Sequence, residues 1–214
     1  IKAFDFFCTF DQTVLVLEYF PGRTLTKAVR KKTFEEPTTK VLFRMLLGAI
    51  DHLHQKRIVH RDIKGDNILV SSDLSDLRLL DFNTAKRLLD RGALTMTGTR
   101  QYLPPEVLQN TDSPSELSDI WSAGLCLHLM LAGCLPWKAH ECLSSDAYCK
   151  ILINQPLQLE GNTLQHVSES CKVTLRHCLA VQKQCRMSAM QLLEQEWLSE
   201  CSPDMDAMLF GTRS

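Results

Sequence analysis

Charge of one sign is what this chain lacks first: 24 Lys and Arg stand against 25 Asp and Glu in 214 residues, a net charge of −1. No global field therefore favours nucleic acid or anionic lipid, and neither is expected as a partner. Long apolar runs are missing too. The longest, Ile120 to Ala132, is broken by Ser122 and His128. It is too short for a membrane span and suits a buried core helix. There is no secretory or lipidation signal, no internal repeat and no low-complexity segment. Cys-x-x-Cys pairs are absent, and the nine cysteines are odd in number. Cys171, Cys178 and Cys185 recur at seven-residue spacing, which suits one helix face more than a zinc site. Free thiols in a reducing compartment, the cytoplasm, are expected. His52, His54 and the pair His177-Cys178 have ligand-type side chains but no completing partners. An initiating Met is also missing. The chain starts at Ile1, which reads as a fragment of a longer protein.

What is present is enough chain for one large domain with a substantial core. Its most informative stretch is His60-Arg61-Asp62-Ile63-Lys64-Gly65-Asp66-Asn67. That stretch puts a carboxylate, cations and an amide oxygen on one short loop. Ile68-Leu69-Val70 follows, then the turn residues Ser71-Ser72-Asp73, then Leu77-Arg78-Leu79-Leu80. Two short apolar runs around a polar turn predict an antiparallel hairpin. Asn67 enters it and Asp81 leaves it, so both lie at one end. Asn and Asp together offer hard oxygen ligands that suit magnesium carrying phosphates.

Elsewhere, residues 4 to 10 and 13 to 19 read as strands around Asp11-Gln12. A helix capped by Thr38 or Thr39 is expected to run to about Gln55, with Val41, Leu42, Met45, Ala49, Ile50 and Leu53 on one face. A nearly all-round apolar helix is expected from Glu116 to Ala132, ended by Gly133, with His128 as a core histidine. Residues 145 to 153, 168 to 180 and 188 to 198 read as further helices. In the polar tail from Ser199, Met205, Met208, Leu209 and Phe210 are free to dock or fray. Arg30-Lys31-Lys32 reads as a solvated face.

These landmarks resemble the eukaryotic protein kinases. The octapeptide resembles their catalytic loop, and Asp81-Phe82-Asn83 their Asp-Phe-Gly motif. Pro104-Pro105-Glu106 resembles the end of the activation segment. Asp119-Ile120-Trp121-Ser122-Ala123-Gly124 resembles the central-helix motif, and Arg186 the late arginine that pairs with the glutamate. The likeness covers about residues 1 to 198. It implies an α+β, protein-kinase-like fold. Residues 1–20 would be the last strands of a β-rich small lobe and the hinge, 21–198 a mainly helical large lobe, and 199–214 a tail.

The resemblance also implies roles. Asp62 would orient a substrate hydroxyl and accept its proton, Lys64 would offset charge on the phosphate, and Asn67 and Asp81 would hold Mg2+. Glu18 and Phe20 would bond the adenine of ATP through their backbone, with Leu17 as gatekeeper and Leu69 as pocket floor. Lys64 and Thr99 point to the serine/threonine class. Arg61 would pair with a phosphate placed on Thr95 by an upstream activating kinase; Thr97 is the weaker site. The expected activity is ATP-dependent phosphorylation of serine or threonine in protein substrates, and the second reading is a pseudokinase that binds or scaffolds. Three features depart from the pattern. The chain holds no glycine-rich loop, strand lysine or helix glutamate, so this fragment alone is expected to be inactive. Asn83 replaces Gly and reads as a tolerated residue at positive φ. Arg23 and Thr24 stand where ribose-binding residues are usual.

Overall fold

In a computed structural model of the chain, residues 1–88, 98–137, 144–160 and 164–199 are described. Two antiparallel strands come first, β1 (Ala3–Cys8) and β2 (Thr13–Leu17), with Phe6 opposite Leu15 and Phe7 opposite Val14. They form a ribbon of their own. Next, β3 (Gly22–Thr24) leads into the short helix α1 (Leu25–Val29), capped by the Thr24 hydroxyl, which accepts the Lys27 N–H. Helix α2 (Glu36–Gln55) follows. It starts earlier than expected. Pro37 occupies its first turn, where the missing N–H costs nothing, and Thr39 lies buried inside the helix instead of capping it. Its buried stripe is Leu42, Phe43, Leu46, Leu47 and Ile50. That stripe is rotated from the expected one, and Val41, Met45, Ala49 and Leu53 are only half-buried along its flank.

Strand β4 (Ile58–Val59) precedes the loop of interest. The expected hairpin forms from β5 (Ile68–Ser71) and β6 (Leu77–Leu79), with Ile68 opposite Leu79, and β3 adds to the far edge of β5. Its turn is tied by the Ser71 hydroxyl and the Asp73 carboxylate, which accept backbone N–H groups of Ser75 and Asp76. Strand β7 (Lys86–Arg87) returns to pair with β4.

The remainder is helical: α3 (Pro105–Leu108), α4 (Glu116–Ala132), α5 (Ser145–Asn154), α6 (Glu169–Cys178), α7 (Ala189–Leu193) and α8 (Glu196–Ser199). The single helix expected over 188–198 is thus two short ones. Helix α4 is the axis of the core and is buried on every side from Ser118 to Leu131. It ends where expected, at Gly133, whose φ of 77° is left-handed and cheap only without a side chain. His128 is indeed a core residue. Its Nδ1 meets the Cys134 carbonyl at 2.7 Å, and burial pushes its pKa down. Helices α2 and α6 pack against this axis, and α7 packs on α2. Cys171 and Cys178 share the buried side of α6, whereas Cys185 lies exposed in a separate 3-10 turn. No described helix is long and apolar enough to cross a membrane.

Candidate active site

The site is built where β4 ends, and a buried carboxylate sets its shape. Asp119, one turn into α4, is 1% exposed. Its two oxygens accept the backbone N–H groups of His60 and Arg61, both at 2.9 Å, and His54 Nε2 lies 3.0 Å away. A buried carboxylate has to be matched by donors in this way. The result is a pinned bend, in which Arg61 adopts φ 70°, a conformation that non-glycine residues rarely take. His60 completes the bend. Its Nδ1 accepts the Asp62 N–H and its Nε2 donates to the Leu80 carbonyl at 2.9 Å. Its ring meets Phe82 edge-on at 4.9 Å.

Asp62 is the hub of the site's hydrogen bonds. One oxygen accepts the Thr99 N–H at 3.0 Å and the Thr99 hydroxyl at 2.9 Å. The other accepts Lys64 Nζ at 2.7 Å and Asn67 Nδ2 at 2.9 Å. Lys64 Nζ also donates to Thr99 Oγ1 at 2.8 Å. Burial pushes the Asp62 pKa up, but hydrogen bonds from Lys64 and Thr99, with the lysine charge, outweigh it and hold the carboxyl below its usual range. The carboxylate is therefore ionised and better suited to orienting a hydroxyl than to early deprotonation.

Thr99 is delivered by Gly98, at φ 104°. A Cβ there would sit 2.5 Å from the Arg61 carbonyl oxygen, so glycine is needed for this approach. Arg61 donates through Nε to the Thr84 carbonyl, and the Thr84 hydroxyl returns a bond to the His60 carbonyl. Burial lowers the Arg61 pKa, partly offset by the Asp119 charge. Thr95, its expected phosphate partner, and Thr97 lie outside the described residues.

Asn67 donates twice through Nδ2, to the Asp62 carbonyl at 2.8 Å and to its carboxylate, which leaves Oδ1 as the oxygen for a cation. The Leu80 N–H donates to the Asn67 carbonyl at 2.8 Å, so Asp81 emerges beside Asn67 as the hairpin demands. Asp81 is exposed and has φ 61°. This corrects the reading of Asn83. The left-handed residue of the triplet is Asp81; Asn83 has no positive φ, and glycine's conformational freedom is not what its position requires. Asn83 N–H instead reaches back to the Asp81 carboxylate at 3.3 Å.

The residues expected to meet the nucleotide are placed more loosely. Leu17 ends β2 and is 46% exposed. The Glu18 N–H is taken by the Lys2 carbonyl at 2.8 Å. Phe20 is half-buried under the Arg78 guanidinium, and Leu69 pairs with Thr24 and Arg78 in the β3–β5–β6 sheet.

Below the site, Glu106 and Arg186 meet in a two-pronged pair at 2.7 and 2.8 Å, eighty residues apart in sequence. Arg186 further donates to the Ala180 carbonyl and lies 4.9 Å over the Trp121 ring. Sequence reasoning placed His60 in the catalytic-loop resemblance and Asp119 at the head of the central-helix motif, but assigned neither a role.

A model of the protein kinase domain matches residues 1–198. The chain belongs to the protein kinase family. It is 32% identical to serine/threonine-protein kinase DCLK3 of Mus musculus over 202 residues, 92% of this chain and 25% of that protein. It is 31% identical to myosin light chain kinase family member 4 of Homo sapiens over 207 residues, 94% of this chain and 52% of that protein. Protein kinase domain-containing protein ppk9 of Schizosaccharomyces pombe is 32% identical over 199 residues, 92% of this chain and 36% of that protein. The chain thus spans a quarter to about half the length of these relatives.

Proposed function

We propose that this protein transfers the γ-phosphoryl group of ATP to serine or threonine hydroxyls of protein substrates. The carrying observation is the closed set of hydrogen bonds among Asp62, Lys64, Asn67 and Thr99. Asp62 would orient the incoming hydroxyl, in the place Thr99 Oγ1 now takes, and receive its proton. Lys64, already beside it, would offset charge building on the transferred group. The Asn67 Oδ1 and the Asp81 carboxylate are hard oxygens on adjacent backbone and suit Mg2+. Magnesium-bound ATP, when present, supplies the phosphoryl group; Leu17, Glu18, Phe20 and Leu69 would bracket its adenine.

Residues 1–20 contain no glycine and a single lysine, Lys2. The chain spans only part of the length of its relatives, so turnover is proposed for the full-length protein. A phosphate on Thr95, added by an upstream kinase, would pair with Arg61 and couple to the neighbouring Asp62, so Thr95→Ala should lower activity. The test is transfer of labelled phosphate from ATP to a serine, threonine and tyrosine peptide mixture, with Asp62→Asn as control. Label on serine or threonine that is lost in Asp62→Asn supports the reading. ATP binding with no transfer by the full-length protein favours the pseudokinase.

A further inference from the structure

Lys31 and Lys32, two residues of the basic cluster that the catalytic reading does not use, lie on the wall of a groove. It has a volume of about 310 Å3 and lies between the segment after α1, the first turn of α2 and the β5–β6 turn. Ala28 and Phe34 are buried at its base, and half-buried Leu74 lies opposite on the turn. Arg23, Lys31 and Lys32 line it against one carboxylate, Glu35. Lys32 and Glu35 form a loose pair at 3.6 Å, both about 80% exposed. Among the described residues no carboxylate lies within ion-pair distance of Arg23 or Lys31. The walls are fixed in advance. The Phe34 N–H donates to the Met130 carbonyl of α4 at 2.9 Å, and Arg23 pairs with Val70 in the sheet. Leu74 is held at φ 60°, a costly conformation for leucine that the turn maintains. On a chain of net charge −1, this is a local excess of positive charge around an apolar floor.

We propose that this groove docks an acidic, leucine-bearing peptide segment of a partner protein. Apolar side chains would rest on Phe34 and Leu74, and flanking carboxylates would meet Arg23, Lys31 and Lys32. A free thiol or a metal cation has no matching chemistry in a groove lined by Arg23, Lys31 and Lys32. The groove needs no ATP and no turnover, so its test is independent of the catalytic assignment.

The probe is a short fluorescein-labelled peptide in which glutamates flank a pair of leucines, read by anisotropy against the intact chain. Binding should weaken as NaCl is raised from about 50 to about 300 mM, since the contacts are exposed ion pairs. The charge reversal Lys31→Glu/Lys32→Glu should weaken it about tenfold. Leu74→Asn should weaken it several-fold, because asparagine tolerates the left-handed φ and removes only the apolar contact. Circular dichroism should be unchanged in both variants. The same peptide with lysine for glutamate should not bind. Equal binding by the variants and the parent chain would overturn the proposal. So would failure of the peptide alongside capture on phosphatidylserine vesicles, which would assign the patch to a lipid surface. A gain in peptide affinity on ending the chain at Ser199 would overturn it too, by making residues 200–214, with Asp204 and Asp206 beside Met205 and Leu209, the occupant.

Discussion

The β1–β2 ribbon and the region around α4 are opposite solutions to placing side chains. In the ribbon, Phe4 and Phe6 are each 61% exposed and Phe10 is wholly exposed, while the strands are held by backbone pairing and a few exposed side-chain hydrogen bonds. Around α4, Asp119 and Arg186 are buried, and each is met by several partners. Apolar groups stand in solvent at one end, and charges stand in the core at the other. The difference shows where this chain keeps its stability and where it lacks support. The proposed phosphate-handling residues are fixed by the helical region. Of the proposed adenine-handling residues, Leu17 and Glu18 hang on the end of a two-stranded ribbon, an element that is marginal unless something covers it.

The largest expected effect falls on the buried side of that contrast. Arg186→Ala should lower unfolding free energy in urea by roughly 3–5 kcal/mol, because Glu106 is left charged and uncompensated under the site. A loss under about 1 kcal/mol, the scale of a surface ion pair, would mean that the core charges are no more important than exposed ones, and the contrast would fail.

Next comes the site itself. In the full-length protein, Asp62→Asn should cut turnover by roughly 10²-fold or more, the usual scale for losing a general base. It also carries a pH signature. The Asp62 pKa is lowered in the folded chain. The carboxylate therefore stabilises the fold above its unfolded value of about 3.9, and that contribution is lost as pH falls through the lower folded value. Asp62→Asn should flatten the acid limb of a stability-versus-pH curve below about pH 4. Parallel acid limbs in the two proteins would remove the basis for this.

Asp119→Asn should cost somewhat less, roughly 1–3 kcal/mol, since asparagine keeps one acceptor oxygen and turns an NH2 donor toward the other of the His60 and Arg61 N–H groups. Turnover should fall with it, because Arg61 would relax from its positive φ and carry Asp62 away from Thr99. Activity unchanged in Asp119→Asn would show that the bend holds without the buried charge.

Much of this was legible in the sequence because it is local. The β5–β6 hairpin follows from two apolar runs and a polar turn. The end of α4 follows from Gly133, and the Glu106–Arg186 pair from family landmarks. What was not legible depends on three-dimensional neighbours. The stripe of α2 is turned toward α4 and α7, whose positions a helical period cannot give. Thr39 looked like a cap, but Pro37 had already opened the helix. The substitution at Asn83 drew attention to φ at the wrong residue, because the pairing of Leu80 with Asn67 puts the sharp turn on Asp81. Asp119 was visible as the head of the central-helix motif, but its work was not. Only the packing of α4 against the loop makes its carboxylate the anchor of the bend.

The smallest expected effect is on the ribbon, where the comparison is easiest to break. Phe4 and Phe6 lie on β1 with more than half of each side chain in water. Replacing them with serine removes little burial, so unfolding free energy should stay within about 0.5 kcal/mol of the parent. What should change is surface behaviour. The pair contributes to an apolar face next to unpaired strand edges, a surface prone to self-association. Phe4→Ser/Phe6→Ser should therefore bind less of a hydrophobic dye and sediment more nearly as a monomer. If the double variant instead lost several kcal/mol, the ribbon would be packed against something in solution, and the division between an unsupported end and a self-sufficient helical region would be wrong.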